Sequence, residues 1–171
     1  GKKTIVVYGN INLTKGIALG ENQKLVGTEY FADINQNALY RDNENEHFSQ
    51  LNFNLTTSDN AVTIGVSNVT ISDLKITLTQ EKSVNYGALR IVNANNISLH
   101  NLDVAHFAQN TQSYAIGGGS SNIKISGKMN IEARNAQTAC FGIYFTNSDL
   151  LIDNTEMTIN SDWGGIISGS Q

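Results

Sequence analysis

Apolar and polar residues alternate along most of this chain in short runs, and the runs recur at a fixed interval. Val62-Thr63-Ile64, Leu89-Arg90-Ile91, Ile116-Gly117-Gly118 and Ile143-Tyr144-Phe145 stand 27 residues apart. Each is followed by a polar turn and a second run: Val69-Thr70-Ile71, Ile97-Ser98-Leu99, Ile123-Lys124-Ile125 and Leu150-Leu151-Ile152. A third run closes each unit: Leu74 to Leu78, Leu102 to Val104, Met129 to Ile131 and Met157 to Ile159. A period of two marks a strand with one buried face, and no window sustains a helical period. Three short strands per unit with no helix cannot form a strand–helix–strand crossover. They close instead into a coil whose strands pair with their equivalents above and below. The expectation is an all-β, right-handed parallel β-helix (solenoid). It has three strands per coil of about 27 residues, roughly five coils, and forms one domain over residues 1–171.

The turns repeat in register with the strands. Asn68, Asn96, Asn122 and Asp149 precede the second strands, and Asp73, Asn101, Gly127 and Asn154 follow them. Asn, Asp and Gly tolerate left-handed backbone at least cost, so a sharp bend is expected at both columns. Asn68-Val69-Thr70 and Asn96-Ile97-Ser98 match a glycosylation acceptor, but a turn Asn followed by a β-branched strand produces the same triplet. A third column is aromatic: Tyr86, Tyr114, Phe141 and Trp163. Coils stacked ~4.8 Å apart let such rings lie face over face. A structural stack is the favoured reading, and an exposed strip for sugar rings the sharper one.

The ends depart from the repeat. Ile17-Ala18-Leu19, Leu25 and Leu51 to Leu55 take the first, second and third strand places of an initial coil, interrupted by an insertion over residues 28–50. Insertions of this kind project from one face and often carry specificity. Trp163-Gly164-Gly165-Ile166-Ile167 opens another first strand without an atypical closing unit. The expectation is an incomplete last coil that continues into a longer chain, or is capped by an oligomeric contact or a further domain.

Composition adds limits. The chain carries 15 acidic and 11 basic residues, net charge −4, which argues against a nucleic-acid binder with its basic patch. Polarity comes from amides, with 23 Asn in 171 residues. Cys140 is the only cysteine, so no internal disulfide forms, and a small buried apolar role is expected of it. No run is long and apolar enough for a membrane helix, so no membrane insertion by this segment is expected.

The coil signature over residues 11–167 resembles the pectin-lyase-like β-helix superfamily. Gly16-Ile17-Ala18-Leu19-Gly20-Glu21-Asn22-Gln23-Lys24-Leu25-Val26-Gly27-Thr28 is similar to the opening of β-helical passenger and adhesin segments in bacterial autotransporter-like and inverse-autotransporter-like surface proteins. Asn22 stands where those openings carry Gly. The resemblance implies a secreted or bacterial outer-surface location and an adhesin-like or stalk role.

Polysaccharide-cleaving β-helices work on the outer face of one sheet. Hydrolysis there needs paired carboxylates, one as general acid and another activating water. The outward positions of the first sheet are Thr63, Arg90, Gly117 and Tyr144, which give one Arg and no carboxylate. Lys75 and Asp103 fall one coil apart on the third sheet, the spacing of an exposed ion pair. His100 and His106 flank Asp103, from the turn and from the loop after the third strand. Neither set converges as a metal site requires. No catalytic residue, metal or cofactor is assigned. Candidate binding residues are Tyr40, Arg41, Asp42, Glu44, Glu46 and His47 in the insertion, with Tyr86, Tyr114 and Trp163 from the aromatic column. The loops 79–87, 105–113 and 132–140 are expected to share the contacts. The expected partner is a carbohydrate or a host surface protein. The leading function is an adhesin-like binding module or passenger stalk. A polysaccharide lyase or hydrolase and a purely structural spacer are the alternatives.

Overall fold

A computed structural model describes residues 3–28, 49–57, 59–80, 87–108, 113–135 and 140–169, with residues 135 and 167–169 described by their backbone alone. Fourteen strands run through these residues: β1 (Lys3–Val7), β2 (Asn10–Leu13), β3 (Ile17–Leu19), β4 (Gln23–Gly27), β5 (Gln50–Leu55), β6 (Val62–Ile64), β7 (Val69–Gln80), β8 (Gly87–Val92), β9 (Ile97–Ala108), β10 (Ser113–Gly119), β11 (Asn122–Asn135), β12 (Cys140–Thr146), β13 (Asp149–Ser161) and β14 (Gly164–Gly169). They form two parallel sheets. The narrower sheet has the order β14-β12-β10-β8-β6-β3, and the wider runs β1-β4-β7-β9-β11-β13, with β5 also beside β7 and β2 beside β5. From β6 onward each strand pairs with the one 27 or so residues away, Val62 with Leu89 and Ile116 with Ile143 among them. The chain is therefore a parallel β-solenoid, with four uninterrupted turns from β6 to β13.

The expected second and third strands are not separate. They are two arms of one long strand in each of β7, β9, β11 and β13, folded at Asp73, Asn101, Gly127 and Asn154. All four of these residues have positive φ, between 46° and 74°. A single left-handed residue turns the strand, and pairing resumes just beyond the corner, with a register shift at that point in β11. The third arms also run further than expected, to Gln80, Ala108 and Asn135. That shortens the loops expected at 79–87, 105–113 and 132–140 to their central residues, which lie outside the described residues.

The other corner is less uniform. Asn68 and Asn96 are left-handed as expected, and Asn22 joins their column with φ 61°. Asn22 therefore supplies the backbone geometry that Gly supplies more cheaply. Asn122 and Asp149 are not left-handed. In their coils the bend comes earlier, at Ser120 and Asn147, which align with left-handed Asn93 at intervals of 27. Asn96 Nδ2 donates to Asn68 Oδ1 at 2.8 Å, and Asn101 Nδ2 to Asp73 Oδ1 at 3.0 Å. The corner amides thus satisfy one another from coil to coil.

The inward residues of the central coils are fully covered: Ile64, Ile71, Leu74, Ile76, Leu89, Ile91, Leu99, Ile116, Ile125 and Ile143 are 0 % exposed. Burying an aliphatic side chain contributes ~1.5–3 kcal/mol, and stacking adds the same contribution coil after coil. β1 and β2 form a half-layer before the interrupted coil, pairing with β4 and β5; their strand character was not anticipated. The outermost layers are covered on one side only, so Ile5 and Ile152 are both 42 % exposed. The insertion leaves at Thr28 and returns at Ser49. The Thr28 amide donates to Ser49 Oγ at 3.1 Å and the two hydroxyls lie 2.9 Å apart, so its two ends meet in a hydrogen-bonded neck.

Candidate functional site

The outer face of the narrower sheet holds an open trough of about 480 Å³, lined by Arg90, Val92, Tyr114, Gly118, Gly119, Ser120, Phe141, Tyr144 and Thr146. Its construction follows from the register. Arg90, Gly117 and Tyr144 are direct neighbours across β8, β10 and β12. Gly117 leaves a gap between the two large side chains, and the ring of Tyr114 fills it. A Cβ at Gly117 would lie 2.6 Å from Tyr114 Cδ2, and one at Gly87 would also collide with that ring.

Strict alternation would send Tyr114 and Phe141 inward with Ile116 and Ile143. The ladder instead skips a pair: Tyr114 is opposite Gly87 and Ile116 opposite Leu89, with no pairing between Ala115 and Ala88. Ala88 and Ala115 face the core and are 0 % exposed. The same step is skipped in β12, where a Cβ on Gly142 would meet Ile159 in the interior. Two consecutive inward residues rotate the preceding aromatic to the outside. Tyr114 and Phe141 are each 8 % exposed, packed on the sheet's outer surface. Tyr114 stacks on Tyr144 with centroids 6.4 Å apart and planes at 18°, and Phe141 leans on Tyr144 at 5.3 Å and 30°.

The expected aromatic column is therefore corrected. Tyr114 and Phe141 share a register, but the position beyond Phe141 belongs to Gly164, not Trp163. The Trp163 amide instead donates to the carbonyl of Cys140, and the indole is 71 % exposed away from this set. Tyr86 lies outside the described residues, as do Tyr40, Arg41, Asp42, Glu44, Glu46 and His47. Stacking runs through Tyr144, because Gly117 opens a slot beside it. Arg90 and Tyr144 were legible as outward positions but were not among the candidate binding residues; their spacing of two 27-residue repeats, with Gly117 midway, was the signal that could have found the site.

The trough's charge is simple. Among the described residues Arg90 is the one charged side chain lining it, and it has no carboxylate partner there. Lys75 pairs with Asp103 at 3.2 Å, the exposed pair expected from their spacing. Lys124 pairs with Asp153 at 2.8 Å, and Arg134 with Asp162 at 2.9 Å and Glu132 at 3.5 Å. The described lining residues include no carboxylate and no histidine; they offer aromatic surface and a guanidinium.

His106 lies behind the trough. It was expected in a loop, but it is an inward residue of β9, paired in register with Leu78 and Ala133 and 0 % exposed. Its Nδ1 donates to the carbonyl of Tyr114 at 2.9 Å, which leaves Nε2 as a buried acceptor without a partner. Burial holds its pKa down to about 4, opposed by the hydrogen bond to Tyr114. His100 bonds Ser126 Oγ at 3.0 Å. The two histidines and Asp103 do not converge, and no group able to hold a metal occurs among the described residues. Cys140 is buried, 3.1 Å from Ser113 Oγ, with its thiol pKa pushed up by burial.

The fold and trough define a parallel β-solenoid with a preformed aromatic–cationic surface on its narrower sheet. Comparison with known proteins returns no matching family model, no matching curated protein and no matching solved structure.

Proposed function

We propose that this chain is a binding module of the adhesin-like kind, working at a bacterial surface or in secreted form, and that the trough on the narrower sheet contacts a carbohydrate. The observation that carries this reading is the Tyr114–Tyr144 stack beside Arg90, which has no carboxylate partner among the described residues. Aromatic faces offer apolar surface to the C–H faces of sugar rings, and a guanidinium offers fixed hydrogen-bond donors. Both sit on paired strands, so little side-chain or loop ordering opposes binding. The surface location rests on the likeness of residues 16–28 to passenger segments, and the insertion at 28–50 is a second contact region.

A glycan array probed with the whole chain and with Tyr144→Ala tests the reading. Binding by the wild type that the variant loses, with a cooperative melt only a few degrees lower, is the expected result. An array with no binders, together with no attachment to host cells, would overturn it in favour of a spacer. Unsaturated products absorbing in the ultraviolet from an acidic polysaccharide would overturn it in favour of a lyase.

A further inference from the structure

Three inward columns cross the solenoid from one end layer to the other, and each begins and ends on isoleucine. They run from Ile5 to Ile152, from Ile11 to Ile159 and from Ile17 to Ile166. The members between are buried, whereas Ile5, Ile11, Ile152 and Ile166 are exposed and Ile17 and Ile159 half-buried. We propose that the occupant of these ends is a second copy of this chain, stacked head to tail. The β13–β14 layer of one copy meets the β1–β3 layer of the next, so that sheets and columns run on across the junction.

The end layers match in shape. Both wide-sheet layers fold at a left-handed corner, Gly9 with φ 66° and Asn154 with φ 46°. Six residues lead from Ile5 to Ile11 and seven from Ile152 to Ile159, a difference of one that the neighbouring coils β11 and β13 already absorb between Ile125–Ile131 and Ile152–Ile159. Seating Ile152 on Ile5, Ile159 on Ile11 and Ile166 on Ile17 removes six aliphatic side chains from water and gives both edge ladders a partner. The same register sets Asn160 opposite Asn12, which adds a rung to the Asn52–Asn12 amide pair.

Charge decides which ends meet. Residues 1–20 carry Lys2, Lys3 and Lys15 and no acid, and residues 149–171 carry Asp149, Asp153, Glu156 and Asp162 and no Lys or Arg. Asp153 and Asp162 pair with Lys124 and Arg134 of the preceding coil, but Lys3, Lys15, Asp149 and Glu156 make no ion pair among the described residues. Stacking brings Lys3 within one residue of Asp149. Two like ends would set lysine against lysine or acid against acid, and opposite ends attract. A head-to-tail contact along the solenoid axis leaves one end of each kind open, so it builds a linear series rather than a closed dimer.

Sedimentation velocity of the whole chain across a wide range of concentration tests the proposal. Growth through dimer and trimer to longer species is expected, weakened by added salt. Ile152→Lys blocks one end and Ile5→Lys the other. Each variant alone should remain monomeric, and an equimolar mixture should stop at a 1:1 dimer, because one unblocked end of each kind remains. Asp149→Lys combined with Glu156→Lys, which leaves the apolar columns intact, should weaken self-association by roughly tenfold or more at low salt. Melting curves establish that each variant folds. A wild type that stays monomeric at every concentration would overturn the proposal and leave the end layers to a partner of another kind. Dimers that grow no further, or single-end variants that still self-associate, would replace it with a like-to-like or lateral contact.

Discussion

The outer faces of the two sheets are built by the same repeat and end in opposite states. On the wider sheet, side chains in register satisfy one another between coils. Lys75 meets Asp103, Asn52 Nδ2 donates to Asn12 Oδ1 at 3.2 Å, and Lys124 reaches diagonally, two residues along the next strand, to Asp153. On the narrower sheet the register sets Arg90, Gly117 and Tyr144 side by side. Neither Gly117 nor Tyr144 can neutralise the guanidinium. A solenoid multiplies whatever it places in a column, so complementary neighbours give an inert wall and a mismatched column gives a surface with unused valence.

The largest expected effect comes from the floor that keeps the two faces different. Gly118 has φ 149°, and a Cβ there would collide with the carbonyl oxygen of Ile91. Gly118→Ala combines left-handed strain with a clash against backbone, and should cost ~3 kcal/mol or more. Urea denaturation reads this as a lower midpoint. A variant as stable as the wild type would mean that the coil slides to make room and that the trough floor is not fixed.

The next effect concerns acid. His106 is neutral in the fold with its pKa near 4, against 6.5 for a free imidazole. The unfolded chain takes up the proton first as pH falls. Stability from this residue is therefore complete above pH 6.5 and is lost as pH drops toward 4. A shift of that size corresponds to about 3 kcal/mol. Melting temperatures between pH 7 and 4.5 should decline in the wild type, and His106→Leu should flatten that decline whatever its own stability. An equal slope in both would locate the acid sensitivity elsewhere.

Tyr144→Ala acts on function more than on folding. The ring is only part-buried, so its removal should cost ~1 kcal/mol of stability, near the centre of the range for single substitutions, while abolishing sugar binding. Loss of binding with an unfolded protein would make Tyr144 a packing residue only. The smallest effect belongs to the wider sheet. Lys75→Met breaks the ion pair with Asp103, in which the lysine side chain is 36 % exposed, and such pairs contribute ~0–1 kcal/mol. A larger loss would mean that the wall is held by its charges rather than by the aliphatic columns beneath.

Much of the architecture was legible in the residues. The 27-residue recurrence of Val62, Leu89, Ile116 and Ile143 became the narrower sheet, and the column Asp73, Asn101, Gly127 and Asn154 became the left-handed corner. The candidate site was only half legible. The positions of Arg90, Gly117 and Tyr144 on one face followed from alternation, but Tyr114 and Phe141 joined them through a skipped pair that breaks alternation. His106 was misplaced for a related reason. A strand's end is set by how long the neighbouring strands keep offering partners, and β7 and β11 carry β9 past the point where its apolar alternation fades.

By itself, then, the sequence determined the repeat length, the inward columns and the corner column at Asp73, because each depends on residues a few positions apart and is restated in every coil. The tertiary structure alone decided which aromatic rings face out, that Arg90 lies among them without a carboxylate partner, and which histidine is buried. Those outcomes depend on what the coils above and below place at the same register, and no single coil contains that information.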